Sequence, residues 1–78
     1  MQPRKQFIDG LRKHGFSDII LSDKLTLHAD RKRGYITVKL GINDKNVMAF
    51  DTKSEYLAWS EPIAWAIEHG YLESEPTW

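Results

Sequence analysis

Cysteine is absent from this chain of 78 residues, which excludes a disulfide framework and any cysteine-built zinc site. Long apolar runs are absent too. A membrane-spanning helix needs about 20 consecutive apolar residues, and no stretch here approaches that. There is no excess of either charge, since 11 Lys/Arg balance 11 Asp/Glu. Proline is scarce, at three residues, and glycine little commoner, at five, so low-complexity disorder is excluded as well. What remains is an ordinary globular composition, with 41% apolar and 12% aromatic residues. The length fits a single domain over residues 1–78. A chain this short buries only about 60% of the surface exposed by its unfolded form. Its core must be thin, and homodimer formation is one way to extend it. Zero cysteines suit a reducing compartment, and no basic-then-apolar leader opens the chain, so the expected location is cytoplasmic.

The balanced charge hides an asymmetry. Residues 1–42 carry nine Lys/Arg against four Asp, and residues 43–78 carry two Lys against seven acids. The halves therefore stand at +5 and −5. Either the two ends attract each other within the fold, or each forms a charged docking face.

The periodicity predicts an α+β fold. Pro3 to His14 reads as a helix, with Pro3 at a first position and Gly15 stopping it after the basic turn Arg12-Lys13-His14. Phe7, Ile8 and Leu11 form its apolar stripe, and Lys5 and Arg12 share a flank. Asp18 to Ala29 alternates apolar and polar residues with one flaw at Asp23. It is either one bent strand or two strands divided by a Ser22-Asp23 turn. Asp30 to Gly34 reads as a polar hairpin loop, and Tyr35 to Ile42 as the clearest strand. Asn43-Asp44-Lys45-Asn46 is turn chemistry before a short strand, Val47 to Phe50.

The last helix places Tyr56, Trp59, Ile63, Ala66 and Ile67 on one face. Pro62 predicts either a kink or two abutting helices, over residues 54–59 and 61–69. Ser74 to Trp78 reads as a tail. The expected architecture is helix, three-stranded antiparallel sheet, helix. Both helices cover one sheet face, and Lys24, Thr26, His28, Tyr35, Thr37 and Lys39 lie on the open one.

This order of elements resembles the double-stranded-RNA-binding domain. That family grips the A-form minor groove with its first helix, a strand-connecting loop and a basic start to its last helix. The corresponding start here reads Thr52-Lys53-Ser54-Glu55 and then Glu61-Pro62, acidic where phosphate would sit. The family's binding residues are therefore not transferred. In size and architecture the chain also resembles phage-encoded inhibitors of host enzymes, the anti-CRISPR and anti-restriction proteins. That likeness implies a protein partner.

Two surfaces stand out among the residues. Arg31-Lys32-Arg33 is the densest basic run, which Tyr35 and Lys39 extend across the open sheet face. Such a patch meets either phosphate or an acidic protein, or simply keeps a loop solvated. On the last helix Trp65 lies between Glu61 and Glu68, with Leu57 on the same outer side. An indole ringed by acids is typical of a protein-contact hot spot, unless Tyr71, Leu72 or Trp78 covers it. His14, His28 and His69 lack metal-ligand spacing, and no calcium loop, Gly-rich phosphate loop or nucleophile elbow occurs. No metal, cofactor or catalytic set is expected, and no membrane. The expectation is a non-enzymatic protein-binding module of the phage-inhibitor type. The alternative is a small nucleic-acid-binding domain using the basic run, Lys39 and the Lys5/Arg12 flank.

Overall fold

A computed structural model describes residues 2–77. The order is α1 (Pro3–His14), β1 (Phe16–Ile20), β2 (Leu25–Lys32), β3 (Tyr35–Ile42), β4 (Lys45–Thr52) and α2 (Glu55–Glu68). The strands form one antiparallel meander in the order β1-β2-β3-β4. The expected sheet had three strands. The fourth arises because the segment flawed at Asp23 divides into two. Leu21 N–H donates to the Leu25 carbonyl at 2.8 Å, closing a tight turn over residues 22–24. Ser and Asp favour such turns because their side chains compete for nearby backbone groups. Alternation survives the turn, so Ile19, Leu21, Leu25, Leu27 and Ala29 all face the core.

The other hairpins are tighter than their polar composition suggests. Arg33 (φ 48°) and Gly34 (φ 88°) alone link β2 to β3, and Asn43 (φ 51°) and Asp44 (φ 68°) alone link β3 to β4. Paired left-handed residues match the natural twist of two strands. Asp30, Arg31 and Lys32 are thus strand residues, where a loop was expected. Lys45 and Asn46 belong likewise to β4, which extends beyond Val47–Phe50 at both ends. Gly41 faces Asn46 while Leu40 faces Met48, so Val47 is an extra residue in a bulge.

Both helices pack on one sheet face. Phe7 and Leu11 of α1 and Ala58, Trp59, Ile63 and Ala66 of α2 bury themselves against Leu27, Ile36, Val38 and Leu40. The rings of Phe7 and Trp59 meet at 5.6 Å. Helix α2 begins on a cap, the Ser54 hydroxyl accepting from Leu57 N–H at 3.2 Å. It then runs unbroken through Pro62, so the division into two helices does not occur. Pro62 is itself buried between Trp59 and Ile63, and packing on both sides holds the helix through the missing N–H.

The buried stripe of α2 is Ala58, Trp59, Pro62, Ile63 and Ala66. Each residue turns the helix by about 100°. Using Ala58 and Pro62 in the core rotates the stripe away from Tyr56 and Ile67. Those two side chains were expected inside and are exposed. After α2, Gly70 (φ 81°) reverses the chain, and Tyr71 N–H donates to the Ala66 carbonyl at 2.8 Å. The expected tail has no regular structure, yet it is anchored. Pro76 is buried, and Glu75 accepts a hydrogen bond from Trp59. The reading of Trp78 lies outside the described residues.

Candidate interaction surfaces

The outer side of α2 is an acidic ridge. Leu57, Glu61, Ala64 and Glu68 recur at spacings of four, three and four, which lines them along one face. All four are exposed, and neither glutamate makes an ion pair among the described residues. Trp65 was expected to point straight outward. The rotated core stripe instead sets it on the flank of the ridge, half-buried against the core. It stacks near-parallel on His69 at 4.0 Å and on Tyr71 at 5.7 Å. His69 is locked by a bond of 2.9 Å from its Nδ1 to the Trp65 carbonyl. The result is an aromatic shelf beside the acids, and Tyr71 is 45% exposed at its edge. No Lys or Arg occurs from residue 54 onward, so nothing on the helix or the segment after it neutralises the ridge.

The basic run is largely engaged within the molecule. The Arg31 guanidinium donates to Glu55 Oε2 at 2.7 Å, and Arg12 donates to Glu55 Oε1 at 2.8 Å. The hydrogen bonds from Arg12 hold the Glu55 carboxyl below the usual carboxylate range, against the effect of desolvation. The charges of Arg12 and Arg31 act in the same direction. The same pairing raises the Arg12 pKa. This clamp joins α1, β2 and α2 through one carboxylate. Lys32 lies 3.5 Å from Asp30. Arg33 sits alone at the hairpin tip, with Tyr35 and Lys39 further along β3 on the open face.

The open sheet face carries Thr26, His28, Tyr35, Thr37 and Lys39 as expected, whereas Lys24 falls in the turn between β1 and β2, and the face also carries residues that were not expected. His28 lies between Asp18 and Lys39 in the strand register, and its Nδ1 meets Asp18 Oδ1 at 2.5 Å. His28 thus faces Lys39 on one side, and β1 adds Asp18 on the other. Beside Asp18 on β1, Phe16 (52% exposed) and Ile20 (68%) project from the same face. Sequence reasoning missed this apolar pair. Phe16 falls before the expected strand, and Ile20 stands in the polar phase of the alternation as an apolar residue that was not singled out.

Among the described residues no three His, Cys, Asp or Glu side chains gather as metal ligands would. Among the described residues no helix is long and apolar enough to cross a membrane. No family model, curated protein or solved structure matches this chain.

Proposed function

We propose that this chain is a non-enzymatic protein-binding module that receives a basic surface of its partner on the outer ridge of α2. The observation that carries this reading is the row Leu57, Glu61, Ala64 and Glu68 beside the Trp65–Tyr71 shelf. Apolar contact area lies next to carboxylates that have no ion-pair partner among the described residues. Aromatic anchors bordered by charge are where binding energy concentrates in protein interfaces. The carboxylates speed encounter with a basic patch and set its orientation. A small inhibitor of a host enzyme or defence complex, of the anti-CRISPR or anti-restriction type, is the form of this function that the size and architecture resemble.

Pull-down from a host lysate tests the reading. The expected result is a specific protein that the native chain retains and that both Trp65→Ala and a Glu61→Lys/Glu68→Lys double variant lose. Circular dichroism checks that each variant is folded. Equal retention by both variants removes the ridge from the interface.

The nucleic-acid alternative rests on Arg33, Tyr35 and Lys39, which have no acidic partner among the described residues, and on the Lys5/Arg12 flank. Two of the three residues in the basic run, and Arg12, already face carboxylates, which lowers the charge available for phosphate. A gel shift with duplex and single-stranded probes at low salt decides it, and the protein-binding reading expects none.

A further inference from the structure

A second surface, of opposite character, lies on the other flank of α2. Tyr56 and Trp65 are nine residues apart, two and a half turns, and therefore project on opposite sides of the helix. On the Tyr56 side, residues of α1 and α2 line a groove of about 570 Å3. Its apolar part is built by Ile8, Tyr56 and the edge of the buried Trp59. Tyr56 is 69% exposed, the most exposed large apolar side chain in the described chain. Arg4 and Lys5 line the groove from α1, and neither has an ion-pair partner among the described residues.

The charges around this groove do not cancel. At one end Glu55 already receives two guanidiniums, Arg12 and Arg31. Asp9 lies one turn before Arg12 on the same helix, and the Arg12 charge opposes it. Arg4, Lys5 and Arg12 line the groove with Asp9 and Glu55, and Arg31 reaches Glu55 from β2, so each of the two carboxylates has a cation beside it. The surplus falls on Arg4 and Lys5, beside the apolar wall. The groove is open along its length, so it suits a segment laid across it and does not enclose a small molecule.

We infer that the α1/α2 groove is a docking site for an acidic peptide segment of a partner protein, held by an apolar side chain against Ile8 and Tyr56 and by carboxylates on Arg4 and Lys5. Long cationic side chains at the rim lay their stems along apolar surface while their heads remain in water, which favours this mixed contact. The site is separate from the acidic ridge and does not depend on it. Together the two surfaces let the module meet basic and acidic parts of its surroundings on opposite flanks of one helix.

The test is an NMR titration of the isotope-labelled full chain with a Glu-rich synthetic peptide carrying one Trp. Saturable shifts are expected at the amides of Arg4, Lys5, Ile8 and Tyr56. The exposed double variant Arg4→Glu/Lys5→Glu is expected to weaken binding about tenfold or more, and added salt to weaken it further. A Lys-rich peptide of the same pattern is expected to leave those amides unmoved. The Glu61→Lys/Glu68→Lys variant keeps the acidic-peptide shifts at the groove if the two surfaces are independent. The inference fails if the acidic peptide shifts nothing, if it shifts only Arg33 at the hairpin tip and Lys39 on the open sheet face, or if the double reversal leaves its affinity unchanged. None of those outcomes bears on the ridge.

Discussion

The indole Nε1 of Trp59 donates a hydrogen bond of 2.7 Å to Glu75 Oε1, tying the centre of the core to the segment that follows α2. Trp59 is only 1% exposed, so this bond satisfies a donor that water scarcely reaches. Removing the acceptor leaves the donor stranded. Glu75→Ala is expected to cost about 1–3 kcal/mol in a urea melt. Glu75→Gln keeps an acceptor oxygen and is expected to recover most of that loss. Equal loss in both variants would mean that the charge, and not the hydrogen bond, holds the segment.

Gly10 of α1 reverses the usual helix rule. An Ala inside a helix is normally better than Gly by about 1 kcal/mol. Here an added Cβ would collide with Ser17 Oγ on β1 and come within 3.2 Å of the Phe16 carbonyl. Ser17 is buried and donates to the Phe7 carbonyl at 2.8 Å, so it cannot simply swing away. Gly10→Ala is expected to destabilise the fold by about 1–3 kcal/mol through overpacking. Adding Ser17→Ala is expected to relieve part of the clash, giving a double-mutant cycle that is clearly non-additive.

Arg33 stands in a left-handed turn with φ 48°, a conformation that costs a residue with a Cβ roughly 1 kcal/mol. Asn followed by Gly is the sequence this turn prefers. Arg33→Asn is expected to raise stability by up to about 1 kcal/mol and leave the strand register unchanged. Thermal unfolding checks the first outcome and cross-strand amide contacts in NMR the second.

The Glu55 clamp makes stability depend on pH in a definite direction. Its carboxyl titrates below the ordinary glutamate value because of the hydrogen bonds and charge of Arg12 and the charge of Arg31. A lowered native pKa binds the proton less well than the unfolded chain does. The contribution is therefore complete above the unfolded value of about 4.3 and disappears as pH falls through the lower native one. Native protein is expected to be more stable than Glu55→Gln near neutral pH. The gap is expected to close in strong acid, as measured by urea melts across that range. A gap that is constant with pH would show that the carboxylate's charge contributes nothing.

Helix α1 and strand β3 were legible to the residue, because each carries a complete local signal. Pro3 and Gly15 punctuate α1, and the alternation of Ile36, Val38 and Leu40 leaves β3 no other face to bury. The β1–β2 division was half legible. Asp23 marked a fault, but a bulge and a turn have the same composition, and only the Leu21–Leu25 hydrogen bond separates them. The rotation of α2 was not legible. Ala58 and Ile67 are both apolar, and nothing local says that a small residue and a proline will take the inside while an isoleucine stays out.

The basic run shows the same limit at the level of the site. Adjacent in sequence, Arg31, Lys32 and Arg33 read as one patch, yet as strand and turn residues they project in different directions, and Arg31 and Lys32 find different partners while Arg33 finds none among the described residues. Arg31 meets a glutamate 24 positions away, and that distance in sequence carries no signal.

The order of amino acids by itself determined the fold class, the apolar phase of the segments that form β2 and β3, and the split of charge between the halves. Those properties arise from neighbours a few positions apart, through periodicity and turn chemistry. Tertiary structure alone decided that Phe16 joins β1 and stays exposed beside Ile20, how far Trp65 emerges, and which arginines Glu55 neutralises. Each of these depends on side chains meeting across elements in a densely packed core, where volume and charge pairing, not spacing along the chain, select the partner.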